Sequence, residues 1–319
     1  MPRPISTGGG YRPSFQEVSI SPVSLKGAGV GGVFRMDLRN TGAEVFVPDN
    51  MPLPGAMRRT THMAIAAHPD DVEIMAYDGI SRCFGKEDRW FTGVVVTDGS
   101  GSLRNGPYAE LSGEEMREIR KLEQRKAAVI GEYSAMALLD YSSSEAKDPS
   151  NSDVVKEIAD LVLEARPYVV YTHNLADKHD THAAVAMKVI QALRSIPENA
   201  LPEKVYGCEV WRSLDWMMDE EKVSFDVSSH PNIAAALLEV FDSQISEGKR
   251  YDLATVGRRL SNATFNASHD ADEAATVSYA MDLTPLVMDK NMDICNYITA
   301  HIDRFKEDTA DKIKRLAGR

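Results

Sequence analysis

The sequence predicts an α/β protein: a Rossmann-like, mainly parallel sheet with helices on both faces, plus an N-terminal arm and hairpin and a C-terminal α+β extension. Three observations carry this. Short, nearly continuous apolar runs at His62–Ala67, Phe91–Val96 and Tyr168–Thr172 suit strands buried on both faces. Between them, apolar residues recur at helical spacing, as at Val154, Val155, Ile158, Leu161, Val162 and Ala165. Strand–helix alternation of this kind argues for a parallel sheet.

Taken in order, residues 1–60 form the arm and hairpin. The polar, Gly/Pro-rich start MPRPISTGGGYRPSF reads as a mobile arm. Val30–Val47 reads as two short strands around Asn40-Thr41-Gly42, and Pro48–Gly55 leads into the core. The core spans residues 61–215. Ser112 with Glu115 three residues on is a capping-box signature, Gly131 is a natural C-terminal stop, and Pro167 closes the helix before it. From about residue 204 the pattern changes. Strands are expected at Val205–Trp211, Val223–Val227 and Glu273–Leu283, and helices at Asn232–Ile245, Leu253–Ala263 and Asp289–Leu316. No linker precedes this part, so residues 216–319 are expected to pack on the core as an extension.

Composition narrows the function. The chain has 319 residues, 48 acidic and 36 basic side chains and a formal net charge of −12. That argues against nucleic acid as a partner, since such binding relies on Lys and Arg neutralising phosphates. The three cysteines, Cys83, Cys208 and Cys295, lie far apart without C-x-x-C spacing. This excludes a disulfide framework or a thiolate zinc cluster and points to a reducing, cytoplasmic setting. The start has no apolar signal region, and no apolar run approaches the roughly 18 residues of a membrane span. The Gly-rich TDGSGS loop lacks both G-x-G-x-x-G and a Walker lysine, so it is a poor phosphate cradle. A homo-oligomer is expected only by analogy with related folds.

The chemistry lies in the histidines. Of eight, five fall in two windows: His62 and His68, then His173, His179 and His182. His68-Pro69-Asp70-Asp71 directly follows the first buried strand, and THNLADKHDTH follows the third. Ligands of doubly wound sheets bind beyond the C-terminal strand ends, so neighbouring strands would unite the windows. His68, Asp71 and His182 then form a two-histidine, one-carboxylate set. Three protein ligands with a position left for water is the pattern of catalytic zinc, and the same set suits iron(II).

Ala67-His68-Pro69-Asp70-Asp71-Val72-Glu73 resembles the A-H-P-D-D-x-E signature of the PIG-L/LmbE-like N-acetylglucosamine deacetylases. Thr172-His173-Asn174 and His179-Asp180-Thr181-His182 resemble that family's second block, often H-P-D-H. Thr97-Asp98-Gly99 and Ile119–Glu123 are similar to its intermediate blocks. The resemblance covers about residues 61–215. It implies zinc ligands at His68, Asp71 and His182, a general base at Asp70, and an electrostatic or general-acid role for His179. It further implies hydrolysis of the acetamide of an N-acetylated amino sugar or its conjugate, a small molecule, to acetate and a free amine. One alternative is an amidase acting on another acyl amide, such as a thiol-sugar conjugate. The other is a non-catalytic sugar-binding protein with a residual metal site, against which Asp70 speaks, since binding alone does not require it.

The second block departs from the pattern. Asp180-Thr181 stands where many members have Pro-Asp, and Thr181 cannot tune His179 as an anion; Asp180 or Asp177 would have to do so from another direction. Glu73, His173 and Asn174 are expected behind the ligands. Arg104, on a Gly-rich loop, is a candidate substrate contact, weighed against an ordinary loop arginine. Lys249, Arg250, Arg258 and Arg259 read either as an anion site or as a solvated helix face. Trp211 and Trp216 read as a sugar-stacking wall or as core.

Overall fold

The computed structural model describes residues 32–34, 38–266 and 269–318; the expected arm over 1–15 lies outside them. The expected hairpin is present as β1 (Gly32–Phe34) antiparallel to β2 (Glu44–Val47). After α1 (Leu53–Arg58) come β3 (His62–Ala66), α2 (Asp71–Met75), α3 (Tyr77–Cys83), β4 (Phe91–Thr97), α4 (Gly113–Ile130) and β5 (Ala135–Tyr141). Then follow α5 (Ser143–Lys147), α6 (Ser152–Ala165), β6 (Val169–His173), α7 (Asp180–Ser195) and β7 (Lys204–Cys208). The chain continues through β8 (Lys222–Asp226), α8 (Pro231–Glu239), α9 (Asp242–Ile245), α10 (Tyr251–Phe265), β9 (Val277–Asp282), α11 (Thr284–Met288) and α12 (Ile294–Leu316).

Among the described residues, all nine strands join one sheet in the order β1-β2-β5-β4-β3-β6-β7-β9-β8. The central five are parallel, and the strands added at either side are antiparallel. From β3 the chain builds outward through β4 to β5, then crosses back to lay β6 and β7 on the other flank. The direction of winding therefore reverses between β3 and β6, the place where open α/β sheets leave a crevice.

Side-chain alternation explains the layers. Met63 and Ile65 of β3 point into one apolar cluster, with α1, α6, α7 and α11. Ala64 and Ala66 point into the other, with α2, α3, α4 and α8. β4 and β5 are buried at every position because helices cover both faces. α4 begins with the expected capping box: Ser112 Oγ accepts the Glu115 N–H at 3.2 Å while Ser112 N–H donates to Glu115 Oε2 at 2.8 Å. Gly131 ends it.

Some elements differ from the expectation. β5 is a further buried strand that the apolar pattern did not single out. The helix expected over Asn232–Ile245 is two, because Phe241 leaves helical geometry (φ −86°, ψ 55°) to bury its ring. The last helix starts at Ile294, where Asp293 Oδ1 accepts the Asn296 N–H at 2.7 Å. β8 and β9 continue the same sheet as the core. No described helix is long and apolar enough to cross a membrane.

Candidate active site

The crevice between β3 and β6 opens into a cavity of about 620 Å³, walled by the loops after β3, β4, β6 and β7 and by α5 and α10. The strand ends are pinned before any ligand residue is reached. Ala67 N–H donates to His173 Nε2 at 2.8 Å, and Ala67 O accepts from both the backbone N–H and Oγ1 of Thr97, each at 2.8 Å. Thr172 Oγ1 donates to Ile65 O at 2.9 Å.

On this base stand His68, Asp71 and His182. His68 Nδ1 lies 3.1 Å from Asp71 Oδ2 and 3.1 Å from His182 Nε2, and the last two atoms are also 3.1 Å apart. Three donor atoms thus form a near-equilateral triangle. A tetrahedral cation with bonds of about 2.0–2.1 Å would hold its donors about 3.3–3.4 Å apart, so the donor set fits one. The charges agree. Burial works against a cation on His182, yet Asp71 and Asp177 around it raise its pKa to about 9. Burial would raise the Asp71 carboxyl, but His182 and His173 beside it hold it well below the usual range. These residues favour positive charge at the triangle.

The other histidines fall into distinct places. His173 is fully buried and stacks on His182 with ring centroids 4.0 Å apart. Its Nε2 lone pair accepts the Ala67 N–H, so that nitrogen is committed to the backbone and the proton sits on Nδ1. Burial, together with His182, keeps its pKa well below that of a free imidazole. His179 N-caps α7: its Nδ1 accepts the Thr181 N–H at 3.3 Å, which leaves Nε2 as the N–H donor of the neutral ring. Burial and the neighbouring His68 and His182 lower its pKa, so the ring is neutral near pH 7. Asp177, not Asp180, is the nearby carboxylate. Its Oδ1 accepts the backbone N–H of His179 at 2.9 Å and faces His182 Nδ1 at 3.5 Å, and its Oδ2 accepts the backbone N–H of Trp211 at 3.0 Å. Asp177 therefore orients His182 and the α7 entry rather than the His179 ring.

Asp70 occupies the N-cap position of α2, yet its side chain caps nothing. Its φ of +92° is a left-handed value that costs a non-glycine residue about 1–3 kcal/mol unless neighbours enforce it. Two residues of α4 enforce it. Gln124 Oε1 accepts the Asp70 N–H at 3.1 Å, and the buried Arg120 guanidinium donates to Asp70 Oδ2 at 2.8 Å and to the Pro69 carbonyl. Burial raises the Asp70 pKa to about 6 against the pull of Arg120. Glu73 lies directly behind: its Oε1 accepts from Gln124 Nε2 and Tyr133 OH, each at 2.8 Å. Burial pushes its pKa up to about 8. One Gln124 amide thus links Glu73 to the Asp70 backbone.

Asn174 joins β6 to β7, Nδ2 donating to Cys208 O at 3.1 Å. Arg104 is not among the cavity-lining residues, because its Nη2 turns back to donate to Ser100 O at 2.7 Å within its own loop. Arg259 is also outside the cavity wall, buried where Nη2 donates to Glu73 O at 2.9 Å and Ile74 O at 3.1 Å. Lys249, Arg250 and Arg258 do line it. Trp211 lines it too, but Lys249 Nζ covers one indole face at 4.4 Å, and Trp216 packs against the core instead. The residues that the sequence pattern did not assign, Arg120 and Gln124, lie within the Ile119–Glu123 stretch or one position beyond it; the spacing there gave no role.

Residues 63–193 match the sequence model of the family described as PIG-L: GlcNAc-PI de-N-acetylase. The uncharacterized deacetylase YaiS of Escherichia coli (strain K12) is 28% identical over 157 residues, covering 48% of this chain and 78% of that protein. Among solved structures, the N,N'-diacetylchitobiose deacetylase from Pyrococcus horikoshii superposes with a TM-score of 0.56 at 14% identity, over 72% of this chain and 86% of that one. GalB, the 4-carboxy-2-hydroxymuconate hydratase from Pseudomonas putida, superposes with a TM-score of 0.55 at 17% identity, over 70% of this chain and 96% of that one. At these identities the structural likenesses speak for the fold alone. Signature, matched segment and fold agree, and residues 63–193 are similar to the PIG-L/LmbE-like family.

Proposed function

We propose that this chain is a metal-dependent deacetylase that hydrolyses the acetamide of an N-acetylated amino sugar or its conjugate, releasing acetate and a free amine. The observation that carries the reading is the 3.1 Å donor triangle of His68, Asp71 and His182, open to the cavity beside the Asp70 carboxylate. These three residues would hold the metal, with zinc as the first assignment and iron(II) compatible with the same donors. When bound, such a metal polarises an amide carbonyl and lowers the pKa of water. Residues 61–215 supply this chemistry, and residues 216–319 close the cavity through α10.

The residues divide the remaining work. Asp70 takes the proton of the attacking water; a carboxylate with a pKa near 6 is ionised at neutral pH yet still basic enough to do so. Arg120 and Gln124 position it. His179, neutral and with its proton on Nε2, donates to the oxygen of the acetamide as charge develops there. His173 and Asp177 set the orientation of the ligands, and Glu73 supports Asp70 through Gln124.

Acetate release from N-acetylated sugars, measured beside metal content, tests the reading. Asp70→Asn should retain the metal and lose about 10²–10⁴-fold in kcat. His182→Ala should lose both metal and turnover. Full metal content in His182→Ala would refute the ligand set, and unchanged kcat in Asp70→Asn would refute the base.

A further inference from the structure

The cavity has a charge pattern opposite to that of the chain. The protein carries a formal charge of −12, yet the cavity is lined by two carboxylates, Asp70 and Asp71, and by five Lys and Arg side chains. Two of the five are already neutralised: Arg120 pairs with Asp70 and Glu123 at 2.8 and 3.0 Å, and Arg250 pairs with Asp252 at 2.6 Å. Lys147, Lys249 and Arg258 pair with no carboxylate among the described residues. Lys249 Nζ rests on the Trp211 indole, a partner that positions an ammonium without cancelling its charge. Arg258 Nη1 donates to the Val210 carbonyl, which likewise holds the group and leaves it cationic. Lys147 is exposed in the last turn of α5.

An acidic protein does not keep three unpaired cations around one cavity for solubility, because those cations oppose its net charge. Cations that line a concave cleft concentrate anionic ligands there. Two of the three, Lys249 and Arg258, lie outside the family-matched segment 63–193, so their part of the lining belongs to the extension of this chain, while Lys147 comes from the core. The cavity, at about 620 Å³, has room for a substituted monosaccharide.

We propose that the substrate is an N-acetylated amino sugar carrying an anionic substituent, and that Lys147, Lys249 and Arg258 hold this group while the acetamide faces the His68–Asp71–His182 end. The assignment rests on the deacetylase reading for the acetamide, but the anion site itself does not depend on turnover. Phosphate ester and carboxylate share the required chemistry.

The test is calorimetric binding of N-acetylglucosamine, its 1-phosphate, its 6-phosphate and N-acetylmuramic acid to the full chain, at low and moderate salt. At least one anionic sugar should bind tenfold or more tighter than the neutral one, and salt should erode that advantage. Which one does so separates phosphate from carboxylate. The advantage should fall below threefold in Lys147→Met/Lys249→Met and persist in Lys147→Arg/Lys249→Arg. Equal affinity for all four sugars, or an advantage that survives the Met exchanges, would overturn the proposal. Acetate release is followed in parallel. The expected binding pattern without acetate from any sugar would sink the deacetylase reading and leave the anion site standing. Acetate from all four with equal kcat/KM would do the reverse.

Discussion

Glu73→Gln makes the sharpest test of how the site is supported. Glu73 is fully buried, and burial raises its pKa to about 8, so near pH 7 the folded protein keeps this carboxyl mostly protonated. In the unfolded chain the group titrates near its ordinary value of about 4.3. Between these values the native state binds the extra proton, so stability is fully present below about pH 4.3 and declines as pH rises to about 8. One pH unit of such linkage is worth about 1.4 kcal/mol, which gives a decline of about 2–4 kcal/mol between pH 5 and pH 8. Glutamine reproduces the neutral form. Its Oε1 can still accept from Gln124 Nε2 and Tyr133 OH, and its amide nitrogen stands in for Glu73 Oε2, which has no hydrogen-bond partner among the described residues. The expected result is near-equal stability of the two proteins at pH 5 and a variant more stable by about 2–4 kcal/mol at pH 8. Urea denaturation across this range measures the difference, and titrations shared by the two proteins cancel in it. A difference that does not change with pH would refute the raised pKa, and with it the protonated Glu73.

Other outcomes follow from the same geometry. Arg120→Met should raise the acidic limb of the kcat/KM profile by about 1–3 pH units, because Asp70 loses the guanidinium that favours its charged form. The same exchange should cost about 3–5 kcal/mol by stranding Glu123 as well, and Arg120→Lys should recover part of both effects; an unmoved pH limb in a folded Arg120→Met protein would contradict the Asp70 assignment. Gly79→Ala should destabilise by about 1–3 kcal/mol, since a Cβ there would stand 2.6 Å from the Tyr171 ring; an unchanged denaturation midpoint would show that the ring yields freely. Chelation should abolish acetate release, with added zinc or iron(II) restoring it; activity that survives metal removal would refute the metal reading.

The parts of this molecule legible in its sequence are those set by local pattern. The apolar runs leading to His68 and following Pro167 locate two strands, and their ends meet because they are neighbours at the reversal of winding. The Ser112–Glu115 pair is readable for the same reason, since a capping box is a contact across three residues. What the pattern hides is the support that comes from afar. Arg120 and Gln124 reach Asp70 across about fifty residues, and on a helix such as α4 they read like any solvated polar side chains. Asp177 reads as one of several loop acids until folding points it at His182. Arg104 misleads in the opposite sense: a guanidinium on a loop near the site satisfies itself on its own backbone. β5 escapes notice because its apolar residues, Ala135 to Leu139, are alanine, methionine and leucine, none β-branched, and so read as readily for a helix.

The clamp on Ala67 has a kinetic side. Both backbone polar groups of that residue are held by neighbouring strands, the N–H by a histidine ring of β6 and the C=O by β4. The segment bearing His68 and Asp71 therefore has no private route to opening, because releasing it means parting three central strands. Exchange of the Ala67 amide should accordingly run at the rate of global unfolding rather than local fraying. A protein built this way loses its centre only when it loses its fold, so the lifetime of the site is set by the unfolding barrier of the whole sheet.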